Sequence, residues 1–253
     1  MSVTEISPLI LESLGFQVQK IPTGVRKSAD FLAIADGCRL LIEEKRKEDE
    51  ESVLREKEEI LGSGKIFESE ASLEERNERL AEAVREGHRQ LRDGDNPEHD
   101  FKILWINCDG VNPNAKYAQV LATLYGSVNL MQYGTTKLHD CIGYDYAEFY
   151  RRTALDAAAC TIRFGDHVIL KLLLNPYSTR AESLSTAPFV KRFPREGIYD
   201  PIQMERDGRI FIYKEDIKAK SGEKIKWLED KYGCKPLHPV RFNRLTLISR
   251  TPL

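Results

Sequence analysis

The stretch from Ser28 to Lys47, SADFLAIADGCRLLIEEKRK, constrains the fold of this 253-residue chain more than any other. It reads as two strands joined at Asp36-Gly37, a dipeptide that suits both positive-φ positions of a tight type I′ turn. With a two-residue loop, Ala35 faces Cys38, Ala33 faces Leu40 and Phe31 faces Ile42. The same register sets Asp30 opposite Glu43. It also puts Lys45 on the face of Glu43, because side chains alternate along a strand. Facing carboxylates repel, and apolar neighbours keep water from screening them cheaply. A positive group is therefore expected between them: either Lys45 or a hard divalent cation taking oxygen ligands. Two acids on one cation beside an ammonium make a site for activating water and holding a phosphate.

An acid-x-Lys pair carries little information alone, and the chain has three others: Glu229-Lys231, Asp100-Lys102 and Asp216-Lys218. The first lies in KIKWLEDKYG, an amphipathic helical pattern whose charges belong on a solvated face. The second enters a strand with no hairpin before it. The third follows Asp207-Gly208, a possible hairpin, but that register sets Asp216 against Tyr199, and Pro201 weakens the pairing. Only the first stretch brings a second acid opposite the pair.

Asp30 followed by Glu43-Glu44-Lys45 at the end of an apolar strand resembles the PD-(D/E)XK nuclease signature, as in restriction endonucleases and archaeal-type Holliday junction resolvases. The Pro of the motif is absent, since Ala29 precedes Asp30. The resemblance covers roughly the first half of the chain. It implies Mg²⁺, with Mn²⁺ as a substitute, held by Asp30, Glu43 and the main-chain carbonyl of Glu44. An acid on the first helix often joins the site in that family, and Glu5 fits, with Glu12 the other candidate. Lys45 would orient or activate the attacking water. Arg26, Lys27, Arg46 and Lys47, beside the motif, are the expected nucleic-acid contacts, with DNA ahead of RNA as the partner. A homodimer is a further expectation, because two sites can cut two strands.

The order of elements around the motif agrees with this. Residues 4–14 read as a helix ended by Gly15, 16–21 as a strand, then the hairpin, a helix from about Leu73 to Arg92, and a buried strand at Phe101–Cys108. Ser72 with Glu75 has the form of a capping box for that helix. In that family a polar side chain from this helix often reaches the site, so the resemblance makes His88 and Gln90 candidates, with plain solvent exposure the simpler expectation. The fold class expected is α/β with a mixed sheet: an αβββαβ restriction-endonuclease-like core over residues 1–133, with a charged insertion at 46–71. A C-terminal α+β extension follows over 134–253. Ser127–Gln132 is expected to complete the sheet, Tyr146–Cys160 to be helical, His167–Leu174 to be a buried strand, and 223–232 a helix. Tyr144, Tyr146, Tyr150 and Arg151-Arg152 are candidates to stack on bases and hold phosphates.

Net charge is −2, but it is unevenly spread. Residues 1–47 are close to neutral, 48–100 carry 8 Lys/Arg against 18 Asp/Glu, and 101–253 carry 23 against 16. A polyanion would favour the ends over the middle. Five scattered cysteines without a Cys-x-x-Cys suggest neither a disulfide framework nor a zinc site. No apolar run is long enough to span a bilayer and no signal segment is evident, so a cytoplasmic protein is expected. Gly62–Lys65 (GSGK) lacks the spacing and context of a phosphate loop, and there is no Gly-x-Gly-x-x-Gly or Gly-x-Ser-x-Gly. Nucleotide-binding and acyl-transfer classes are disfavoured accordingly. The alternative to a nuclease is the same fold serving as a binding module for nucleic acid or protein.

Overall fold

The computed structural model describes residues 6–22, 27–47, 49–72, 75–165, 167–241 and 244–249. In chain order its elements are α1 (Ile6–Ser13), β1 (Gln17–Lys20), β2 (Phe31–Ala35), β3 (Cys38–Lys47), α2 (Glu51–Gly62), β4 (Phe67–Ser72), α3 (Glu78–Asp93), β5 (Phe101–Cys108) and α4 (Pro113–Tyr125). These are followed by β6 (Val128–Gln132), β7 (Leu138–Ile142), α5 (Glu148–Arg151), β8 (Ala157–Phe164), β9 (His167–Leu174), α6 (Ala181–Leu184), β10 (Ile198–Tyr199) and α7 (Pro201–Arg206). The chain closes with β11 (Ile210–Ile212), α8 (Ser221–Tyr232), β12 (Leu237–Val240) and β13 (Arg244–Ser249). The α/β class and the mixed sheet are as expected.

The chain forms two compact units that interleave in sequence. One comprises Met1–Arg46, Arg79–Asn107 and Phe149–Pro201; the other comprises Lys47–Glu78, Cys108–Glu148 and Ile202–Leu253. A division at 133/134 is therefore not where the chain parts. Strands β8 to β10, expected in a separate extension, belong to the same seven-stranded sheet as the hairpin, in the order β1-β2-β3-β5-β8-β9-β10.

In the first unit the hairpin has the register read from its turn: Phe31 opposes Ile42, Ala33 opposes Leu40 and Ala35 opposes Cys38. Asp36 and Gly37 have φ of 52° and 75°, the left-handed values that a type I′ turn demands. Arg192 fastens this turn with two bonds to the Asp36 carboxylate, at 2.6 and 2.7 Å, and a third to the Leu14 carbonyl. β5 lies parallel to β3, since the amides of Asp100 and Asp109 bond the carbonyls of Arg39 and Lys47 in turn. Leu40 and Ile42 of β3 join a core with Leu11 of α1, Trp105 and Phe189, and Cys38 packs against it. Glu43 and Lys45 lie on the opposite face, covered by α3.

The sheet that Ser127–Gln132 is expected to complete is instead continued by β8, which lies beside β5. In β8, Ala157, Ala158 and Ala159 are completely buried. Alanine favours helices locally, but propensity is a weak prior and burial in a sheet centre overrides it. Only Glu148–Arg151 of the expected 146–160 helix is helical.

In the second unit β6 instead forms an antiparallel hairpin with β7, inside a four-stranded sheet ordered β11-β7-β6-β12. Val128, Leu130, Cys141, Phe211 and Leu228 make its core. The charged 46–71 stretch supplies α2 and β4, and β4 pairs with β13. That pairing takes Ser72 into a strand, so α3 opens at Glu78 and not at the expected capping box, of which residues 73–74 lie outside the described ones. Asp207-Gly208 closes α7 and is no hairpin turn; Pro201, preset for a helix's first turn, starts that helix. The helix expected at 223–232 is α8. Among the described residues no helix is long and apolar enough to cross a membrane.

A Cβ at Gly37 would meet nothing within 4 Å, so replacing it tests backbone strain alone. Gly37→Val should lower the unfolding free energy by about 1–2 kcal/mol. Gly222→Ala, in open space within α8 and at ordinary φ, should leave it unchanged or raise it slightly. Urea unfolding followed by circular dichroism checks both.

Candidate active site

β3 presents its acids to opposite sides of the sheet. Glu43 is 1% exposed, on the α3 side. Its Oε1 lies 2.8 Å from the Lys45 ammonium, and its Oε2 is buried with no hydrogen-bond partner. Asp30 sits just before β2, where its amide bonds the Ile42 carbonyl at 3.0 Å. Its Oδ2 accepts the Glu44 amide at 2.8 Å, which anchors the carboxylate across the hairpin beside Glu43. Asp30, Glu43 and Lys45 are thus brought together, although the paired register ends at Phe31 and Ile42 and Asp30 lies just outside it.

α3 completes this cluster. Gln90, 9% exposed, accepts the Lys45 ammonium at 2.9 Å, and Glu86 lies 3.9 Å from it. Glu86 in turn holds Lys27 at 3.2 Å. Gly87 explains how a helix comes so close. A Cβ there would lie 2.5 Å from Leu104 Cδ1, 3.4 Å from Glu43 Cγ and 3.5 Å from Lys45 Cε. The sequence signal for this role was a glycine in mid-helix, where it costs about 1 kcal/mol against alanine and so has a packing reason. Gln90 was one of two candidates on this helix; the other, His88, lines a different cleft.

Burial is the main force on Glu43, and the neighbouring Asp30 charge adds to it, while Lys45 pulls the other way. The net result is a carboxyl raised from 4.5 to about 7. Burial disfavours the charged form, and a like charge does the same. A cation seated against both acids would remove this penalty and give the bare Oε2 a partner, so the donor set fits a hard divalent ion. Among the described residues no group of three or more His, Cys, Asp or Glu side chains is suited to a metal, so further oxygens would have to come from the main chain, substrate or water.

The Glu44 side chain takes no part in the cluster. It faces α1, accepting the Ser7 hydroxyl and, at 2.6 Å, the Asn107 amide. Asn107 Oδ1 accepts Trp105 Nε1 at 3.0 Å and the Thr161 hydroxyl. This network ties α1, β3, β5 and β8 together and leaves only the main chain of Glu44 as an expected ligand. Arg46 is exposed, 3.7 Å from Glu44 Oε1. Lys47, in the second unit, bonds Gln119, and burial lowers its pKa to about 8. Glu5 and Arg26 lie outside the described residues.

The rival pairs are occupied otherwise. Asp100 accepts the Arg39 amide at 2.8 Å, Asp216 accepts the Lys218 amide at 2.9 Å, and Glu229 accepts the Leu237 amide at 2.8 Å. Each braces a turn or strand end. Tyr144, a candidate base-stacker, is instead buried in the second unit's core. In comparisons with protein-family models, curated proteins and solved structures, nothing matches this chain.

The raised Glu43 carboxyl makes a pH-dependent prediction for metal-free protein. The folded state binds this proton more tightly than the unfolded chain, so the stability it contributes is complete below about 4.5 and is lost as pH rises through about 7. The loss corresponds to roughly 3 kcal/mol. With a chelator present, Glu43→Gln should be more stable than wild type at mildly alkaline pH, and the advantage should vanish on acidification to about 4.5. Urea unfolding across that range checks it; a variant less stable than wild type at alkaline pH would contradict it.

Proposed function

We propose that this chain is a metal-dependent nuclease that hydrolyses phosphodiester bonds in nucleic acid, with DNA the expected substrate, and that its resemblance to PD-(D/E)XK nucleases reflects shared chemistry. One observation carries the reading: two carboxylates and an ammonium converge on one sheet face, and one carboxylate oxygen there is buried without a partner. Burying such groups costs stability, and arrangements of this kind recur where charge has work to do.

Asp30 and Glu43 would hold Mg²⁺, with the Glu44 carbonyl as a further ligand. When bound, the ion supplies positive charge against the phosphate oxygens and favours ionised water at neutral pH. Everything else falls to the chain. Asp30, fixed by the Glu44 amide, keeps its carboxylate at one position through the reaction. Lys45 is aimed by Glu43 and Gln90, and its remaining N–H can donate a hydrogen bond that orients the attacking water or stabilises a phosphate oxygen as charge develops there. The attacking water gives up a proton to solvent as its oxygen bonds to phosphorus, one P–O ester bond breaks, and the leaving oxygen takes up a proton from solvent. Ionisation of Glu43 near pH 7 predicts that ion binding, and with it the rate, climbs as pH rises through that value.

The test is cleavage of plasmid and single-stranded DNA with Mg²⁺ or Mn²⁺. Wild type should cut. Lys45→Ala and Asp30→Ala should each lose on the order of a hundredfold or more in rate, the loss typical of a missing electrostatic or proton-donating group. Undiminished cleavage by both variants would eliminate this site. Binding without cleavage in wild type would favour the binding-module alternative.

A further inference from the structure

α3 has two working faces. Leu80, Val84, Gly87, Gln90 and Leu91 are buried, and Gly87 and Gln90 meet the acidic cluster. The opposite stripe carries Glu82, Arg85, Glu86, Arg89 and Arg92, which are spaced to lie along one side of a helix. With Arg151, at the end of α5, and Arg152, this stripe lines a cleft of about 510 Å³. All of these residues from position 79 onward lie in the first unit.

We propose that this cleft is the groove that takes the phosphates of one nucleic-acid strand and leads it to Asp30, Glu43 and Lys45. The inference rests on the nuclease reading for what lies at the groove's end. Three observations support it. Five guanidinium groups line the cleft against two carboxylates; Arg92 is held by Asp93 at 2.7 and 2.8 Å, and Glu86 is engaged by Lys27. Arginine's planar fork matches phosphate oxygens two at a time, and it stays charged at any working pH.

The second observation is continuity. Glu86 lines the cleft and also stands 3.9 Å from the Lys45 ammonium, so one residue separates the groove from the acidic cluster. The third is the cleft's one imidazole. His88 is kept neutral by burial and by Arg152 and Arg92, its pKa lowered to about 4, and its buried Nε2 has no hydrogen-bond partner. A phosphate in the cleft would relieve the repulsion among the arginines around this imidazole. An evenly spaced polyanion suits a row of arginines along a helix better than a compact anion, which could engage only one or two of them.

The experiment measures binding apart from chemistry. A fluorescein-labelled single-stranded DNA oligonucleotide is titrated with protein in the presence of a chelator, and its anisotropy is followed over a range of salt. Arg85 and Arg89 are exposed, so the Arg85→Gln/Arg89→Gln double variant should fold like wild type. It should bind roughly tenfold or more weakly, and its slope of log affinity against log salt should be shallower by about 1–2. Equal affinity and slope in wild type and variant would overturn the groove. So would displacement of the oligonucleotide from wild type by inorganic phosphate or by poly-glutamate at equal charge concentration, which would mark a generic anion or acidic-peptide site. The two readings fail separately. Wild type that binds but does not cut with Mg²⁺ refutes the nuclease and leaves the groove; a variant that binds and cuts like wild type refutes the groove and leaves the nuclease.

Discussion

A carboxylate shut away from water against a single ammonium is what the rest of this fold is built around. Glu43 and Lys45 lie two residues apart on one face of β3, 2.8 Å from each other, with Asp30 fixed alongside. An ion pair in such a place gains Coulomb energy but gives up hydration for both partners, and the second carboxylate worsens the balance. The result is visible in Glu43, whose proton is held until about pH 7. A site that contributed only stability would be better filled by apolar side chains. Its retention here is understandable if a doubly charged ion and a phosphate complete it.

The surroundings serve that cluster from both sides of the sheet. On one side Gly87 gives up a side chain so that α3 can bring Gln90 onto Lys45. On the other, Ser7 and Asn107 fix the Glu44 side chain, which holds β3 in register while its amide grips Asp30. The turn that creates the register is itself fastened from a distant part of the chain by Arg192.

What the sequence made legible was local. Asp36-Gly37 permits one tight turn, and a two-residue loop then dictates every facing pair out to Phe31 and Ile42, one residue short of Asp30 and Glu43. β5 could be read from its apolar run, and α8 from its period. The rest depended on partners far along the chain. Nothing near Ala157–Ala159 indicates that a sheet centre awaits them, so helix propensity misleads there. Nothing near Ser72 indicates that β13 will take it into a strand, so a good capping box goes unused. Gly87 and Gln90 looked like parts of an ordinary charged helix, because their meaning comes from Glu43, Lys45 and Leu104 packed beneath them. The interleaving of the two units was hidden for the same reason: which sheet a strand joins is decided by the edge left open to it, and not by its own residues.

The account turns on whether Asp30 and Glu43 act together as a seat for a cation. Anomalous scattering from a crystal soaked in Mn²⁺ at mildly alkaline pH measures this directly. A peak within coordination distance of both carboxylates, absent from the Asp30→Ala protein, is the result expected. No peak there in wild-type crystals, in a protein that cuts DNA with Mn²⁺ in solution, would contradict it.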